Sequence, residues 1–223
     1  MKASADGGAM AGPIDFYFDF SSAYSAIARL QIADIAERHG RELRWQAISL
    51  GVIFRELRHA PPSPDTAKGR YIWHDVERSA REAGMAWRWP DPFPFNSIPA
   101  ARAFHWLQAH DERHALPFLH AMFEGSFSEG RNLSTPDAVA GLAHELGIDA
   151  DALLAGMAEP EIKARLQAAT ADAVVAGVFG APTMLADGEM FWGADRLAYL
   201  DRWLQYGDDR PAGHPPAHQE PTK

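Results

Sequence analysis

This chain places a hydroxyl where a strand gives way to a helix. The apolar run Ile14-Asp15-Phe16-Tyr17-Phe18-Asp19-Phe20 stops at Ser21-Ser22, and Ala23-Tyr24-Ser25 opens a helical pattern. A helix N-terminus carries unsatisfied backbone N–H groups and the positive end of the dipole, so it stabilises an anion such as a thiolate. A Cys-x-x-Cys pair at such a tip does redox chemistry, but here the residues are Ser22-Ala23-Tyr24-Ser25 and the chain contains no cysteine. Sulfur chemistry at this tip therefore requires a sulfur from another molecule. The same absence excludes disulfides, iron–sulfur ligation and thiolate zinc sites. Taken in isolation, Ser22 is also simply an N-cap, worth about 1 kcal/mol.

Other chemistries find no handle. His110-Asp111-Glu112-Arg113-His114 spaces two histidines as in a zinc-protease helix, but Asp111 stands where that motif needs glutamate and no third ligand follows. The pentapeptide reads as a polar helix junction, and no metal is expected. There is no Gly-x-Ser-x-Gly elbow, Walker loop or Gly-x-Gly-x-x-Gly turn. A net charge of −9, with basic residues scattered over 223 positions, argues against a nucleic-acid partner. No apolar run approaches the roughly 20 residues that span a bilayer, so no membrane partner is expected and the cytoplasm is the default address.

The elements that must position Ser22 follow from periodicity. Ile14 to Phe20 is apolar at nearly every position except Asp15 and Asp19, as expected of a central strand covered on both faces. A helix follows to His39, with Gly40 where a left-handed C-cap belongs. Leu43, Trp45 and Ala47 alternate with Arg44 and Gln46 as a second strand, so residues 14–50 form a right-handed β-α-β unit with parallel strands. The proline-dense His59 to Pro64 leads into about 110 residues of helical pattern. These comprise helices near Lys68–Ala83, Pro99–His110 and Arg113–Phe127, then one N-capped at Ser134, and two more pieces to Ala176. Thr183–Ala186 and Glu189–Trp192 flank Asp187-Gly188 as a tight hairpin. A last helix spans Asp195 to Tyr206, with Asp195 also a candidate N-cap. The proline- and glycine-rich tail is expected to be disordered.

This is the thioredoxin plan interrupted by helices. The fold class is α/β, a thioredoxin-like fold with a large all-helical domain inserted after the first β-α-β unit. The thioredoxin-like part comprises 12–60 and 177–208, the insertion 61–176 and the tail 209–223.

Three local motifs then make the chain recognisable. Asp15-Phe16-Tyr17-Phe18-Asp19-Phe20-x-Ser22-x-Tyr24-Ser25, Gly180-Ala181-Pro182-Thr183-Met184 and Trp192-Gly193-Ala194-Asp195-Arg196-Leu197 together resemble the 2-hydroxychromene-2-carboxylate isomerases. These belong with the kappa-class glutathione transferases and the disulfide-bond oxidoreductases. Lys68, Tyr71, Asp75 and Arg78, the Pro94-Phe95-Asn96 loop and Glu129-Gly130-Arg131 resemble the family's inserted domain.

The resemblance implies glutathione as cofactor. Ser22, next to Ser21, would donate a hydrogen bond to its sulfur and favour the thiolate. A thiol with pKa about 8.5 is mostly protonated at neutral pH, and a helix tip can lower that value. Ala181, through a cis bond to Pro182, would pair with the cysteinyl backbone. Trp192, Gly193, Ala194 and Asp195 would cradle the γ-glutamyl end, with Asp195 as partner of its ammonium. Phe54, Lys68, Phe95 and Asn96 would line the pocket for a second substrate, a small aromatic 2-oxo acid or chromene carboxylate. Trp73, Trp87, Trp89 and Phe93 are further candidates for its wall or for ordinary core. The family pattern also suggests a homodimer.

Three alanines depart from that pattern: Ala23 where relatives carry proline, Ala181 where many are bulkier, and Ala194 where they are polar. The implied reaction is cis-trans isomerisation by reversible thiolate addition, as in aromatic catabolism. The alternatives are a glutathione transferase and a non-catalytic binding module.

Overall fold

The computed structural model describes residues 12–59 and 63–207. The tail expected to be disordered and part of the proline connector lie outside the described residues.

Strand β1 (Ile14–Phe18) is followed by helix α1 (Ala23–Arg38) and strand β2 (Leu43–Ala47). β1 pairs in parallel with β2, Phe16 opposite Trp45, and α1 makes the crossover. The left-handed turn at Gly40 (φ 60°) closes the helix where its sequence signal lies. A short helix, α2 (Leu50–Glu56), follows β2 without a local sequence signal for it. It is held from outside: the Leu50 N–H donates to Asp19 and the Ser49 N–H to the Thr170 hydroxyl.

The next described helices are α3 (Ala67–Glu82), α4 (Ile98–His110), α5 (Glu112–Phe127), α6 (Pro136–Glu145), α7 (Ala150–Ala158) and α8 (Pro160–Val175). The cap of α6 is Thr135, whose hydroxyl accepts from the Ala138 N–H; Ser134, expected in that role, bonds Asn132 instead. Strands β3 (Thr183–Ala186) and β4 (Glu189–Trp192) form the hairpin, with Asp187 (φ 53°) and Gly188 (φ 84°) both left-handed as a two-residue primed turn demands. A 3-10 turn over Ala194–Arg196 leads into α9 (Leu197–Tyr206). The strand order β2-β1-β3-β4, with β3 antiparallel to β1, gives the thioredoxin fold with a helical insertion.

Helices cover the sheet on both faces and at one edge. Ile14, Phe16 and Phe18 turn toward α1, while Asp15 and Tyr17 face the other way. The β2 edge would otherwise present unpaired carbonyls. Instead His105 and Gln108 of α4 bond the Ala47 and Trp45 carbonyls at 2.9 and 3.2 Å. α8 falls within 61–176 yet packs on β2 and α2, so part of that segment covers the sheet directly. The core runs unbroken from sheet to insertion: the Phe18 ring lies 5.5 Å from Phe104, and Phe20 lies 5.2 Å from Phe123. Each such fully buried ring contributes about 1.5–3 kcal/mol. The segment that leads from β1 to Ser22 is thereby fixed to the helical body.

Candidate active site

After β1 the chain turns through Asp19, whose buried carboxylate is fully engaged. One oxygen accepts from the Ser21 N–H and hydroxyl, the other from the Leu50 N–H. The Ser21 side chain is thus turned back on the loop. Ser22 stands at the tip of α1 and is only 7% exposed. Its hydroxyl oxygen accepts from the Ser25 N–H at 3.1 Å, and its proton is donated to the Ala181 carbonyl at 2.9 Å. The Ala23 and Tyr24 N–H groups have no protein partner among the described residues, and no acidic residue sits in the first turn of α1. The tip can therefore receive an anion.

Opposite it, Ala181-Pro182 is a cis peptide, as are Asp91-Pro92 and Phe93-Pro94. The Ala181 N–H also lacks a protein partner among the described residues, so this residue offers both a donor and an acceptor to an extended peptide ligand. The Pro182 carbonyl accepts from the Gly193 N–H at 2.9 Å, which fixes the next loop beside it. Gly193 is required by its backbone, whose φ of 112° other residues rarely adopt. Asp195 lies in the 3-10 turn with its side chain largely exposed and paired to Arg196 at 3.0 Å, so it is not the cap of α9. Trp192 is 53% exposed and stacks edge-on against Phe179 at 4.7 Å.

A bridge joins this tip to the insertion. The Tyr24 hydroxyl donates to Asp75 of α3 at 2.6 Å, and Arg78 and Tyr71 also bond Asp75. Burial raises the Tyr24 phenol pKa well above its ordinary value, and the Asp75 hydrogen bond and charge raise it further, with a smaller push from Asp195. Burial also opposes ionisation of Asp75, but the hydrogen bonds from Tyr24 and Arg78 and the Arg78 charge outweigh it and leave its pKa lowered.

A model of the DSBA-like thioredoxin domain matches residues 13–205. The chain belongs to this family. It is 30% identical to the 2-hydroxychromene-2-carboxylate isomerase of Sphingobium xenophagum over 197 residues, 87% of this chain and 99% of the relative. It is 30% identical to the protein of that name from Pseudomonas putida over 192 residues, 84% of this chain and 92% of the relative. A solved 2-hydroxychromene-2-carboxylate isomerase superposes with a TM-score of 0.76 at 28% identity, covering 86% of this chain and 94% of the other.

Within this DSBA-like domain the expected residues are unevenly placed. Ser22, Ala181, Pro182 and Gly193 meet directly, with Ala194 and Asp195 in the adjoining turn. Lys68 is exposed on the first turn of α3, with no ion pair among the described residues. It lies seven residues from Asp75, two turns along the same helix face. Asn96 is exposed, and its side-chain oxygen accepts from the Ile98 N–H at 3.2 Å to start α4. Phe54 is half-buried, one turn beyond Leu50 on α2. Phe95 packs into the core against Phe127 and is 7% exposed. Trp73 and Trp89 stack at 4.9 Å in a cluster with Phe93 and Trp87.

Sequence reasoning named Tyr24 and Asp75 as part of the resemblance but not as site residues. Their contact spans 51 residues, so no local sequence signal could have found it. His110 and His114 take structural roles: His114 bonds Asp111 at 2.6 Å and His110 bonds the Trp106 carbonyl at 3.0 Å. Among the described residues, no helix is long and apolar enough to cross a membrane.

Proposed function

We propose that the protein is a glutathione-dependent cis-trans isomerase acting on a conjugated, ring-opened aromatic 2-oxo acid. The substrate would be of the 2-hydroxychromene-2-carboxylate type. The observation that carries this reading is the Ser22 hydroxyl at the α1 tip, facing the Ala181 backbone, in a chain without cysteine. The relatives' shared isomerase name supports it. Glutathione, when bound, would supply the sulfur nucleophile that adds reversibly to the substrate and leaves after rotation.

The chain's own residues would do the rest. Ser22 would turn its proton from the Ala181 carbonyl to the sulfur, and the free Ala23 and Tyr24 N–H groups would add positive potential. Ala181 would hold a cysteinyl backbone through its N–H and freed carbonyl. Asp195 would take the γ-glutamyl ammonium; its pairing with Arg196 at an exposed position leaves it accessible. Lys68 would bind the substrate carboxylate and stabilise developing enolate charge.

The test is calorimetric titration of the purified protein with glutathione, wild type against Ser22→Ala, while following thiolate absorbance in the ultraviolet. Binding with a thiolate signal that Ser22→Ala abolishes is expected. A substrate screen beginning with chromene carboxylates would follow, with isomerised product separating an isomerase from a transferase. Absence of binding at millimolar glutathione overturns the reading.

A further inference from the structure

On the sheet face turned away from α1, a cleft of about 470 Å³ opens between β1, β2, α4 and α8. Asp15, Tyr17, Gln46, His105, Arg165 and Asp172 line it, and Ala168 and Ala169 leave it room. It shares no residue with the Ser22 notch.

The lining is rich in acceptors. His105 is 8% exposed, and its Nε2 lies 2.9 Å from the Ala47 carbonyl. A carbonyl only accepts, so Nε2 carries the hydrogen and Nδ1 of the neutral ring is an acceptor. Nδ1 has no partner among the described residues. Burial lowers the His105 pKa and keeps the ring neutral, outweighing the Ala47 bond. The Gln46 amide N–H donates to Asp15 at 3.3 Å, which leaves the Gln46 oxygen as another acceptor. Asp172 makes no ion pair among the described residues. The Tyr17 phenol pKa is raised, first by burial and then by Asp15 and Asp172, so both carboxylates lie near it. The cationic group of the lining, Arg165, has two guanidinium nitrogens on Glu161 at 2.8 and 3.3 Å, and its charge adds to burial in keeping His105 unprotonated.

Acceptors thus converge on a net negative cleft whose cation is already paired. The acceptors reach the cleft surface, where a ligand's donors can meet them. We propose that this cleft binds a small linear diamine, its ammonium groups on Asp15, Asp172 and the His105 Nδ1 and its methylene chain over Ala168 and Ala169. Among the described residues no three acidic or histidine side chains come close enough to hold a metal ion. Spread-out acceptors suit an extended donor better than a point charge.

The probe is putrescine, titrated calorimetrically into the full chain at low ionic strength, with Asp172→Asn and Ala169→Leu as variants. Asp172→Asn removes one charge from an exposed helix position, and Ala169→Leu fills the cleft without changing charge. Saturable one-site binding is expected, weakened about fivefold to tenfold in each variant, as loss of one ion pair or of the room predicts. Circular dichroism should show both variants folded, and saturating glutathione should leave putrescine binding unchanged. No saturable binding, an unaltered affinity in Ala169→Leu, or competition by glutathione would each overturn the assignment.

Discussion

The Ser22 hydroxyl and the Ala181 carbonyl, 159 residues apart in the chain, are joined by a 2.9 Å hydrogen bond. The same hydroxyl oxygen accepts from the Ser25 N–H, so it caps α1 and ties the helix tip to the cis-proline loop at once. A ligand that takes the Ser22 proton releases the Ala181 carbonyl for its own use.

Ser22→Ala removes both bonds and should lower stability by about 1–2 kcal/mol, the usual effect of losing a cap and the donor to a carbonyl. Chemical denaturation would measure this. The fold should survive, so loss of the glutathione thiolate signal in the same variant would report on the site and not on unfolding.

Gly180→Ala should disturb the site through Trp192. A Cβ at Gly180 would stand 2.4 Å from the Trp192 Nε1. Trp192 is half exposed and can swing away, so the expected cost is modest, about 1 kcal/mol. Its fluorescence should shift, and glutathione affinity should fall if Trp192 borders the γ-glutamyl end.

Asp75→Asn tests the bridge from α1 to α3. The Asp75 pKa is lowered in the folded protein, so its stabilisation is present above the ordinary aspartate pKa and is lost as pH falls through the folded value. The stability gap between wild type and Asp75→Asn should be full at neutral pH and close below about pH 4. Its size should be about 1 kcal/mol or less, because solvent screens much of the interaction. Thermal denaturation across pH reads it, and a gap that widens in acid contradicts the assignment.

Gly156→Ala is the control for the insertion. The new Cβ would lie 2.2 Å from the Trp106 ring, where α7 meets α4. A loss of about 1–3 kcal/mol is expected, with glutathione affinity unchanged; titration of the folded variant checks this.

Local rules reached the features that local chemistry fixes. The Asp187-Gly188 hairpin, the Gly40 stop and the Ser22 tip were each legible because turn geometry or capping needs those residue types. The Ser134 assignment failed where two hydroxyls precede Pro136 and only the competing Asn132 bond decides between them. Helix α2 was invisible because Asp19 and Thr170, distant in sequence, hold its start. The Ser22–Ala181 notch was legible only through the family resemblance of the motifs that carry those two residues. The Tyr24–Asp75 contact spans 51 residues and leaves no local mark. Phe95 looked like pocket wall because aromatic type alone does not separate wall from core.

Because β3 enters the sheet beside β1, the two lips of the notch are among the earliest and latest parts of the fold to leave a ribosome. A nascent chain halted before Ala181 can carry Ser22 on a finished helix yet has nothing to close against it. Competence at this site is therefore a property of the completed polypeptide, and any interruption of synthesis within the helical insertion yields a protein with the tip but no opposing backbone.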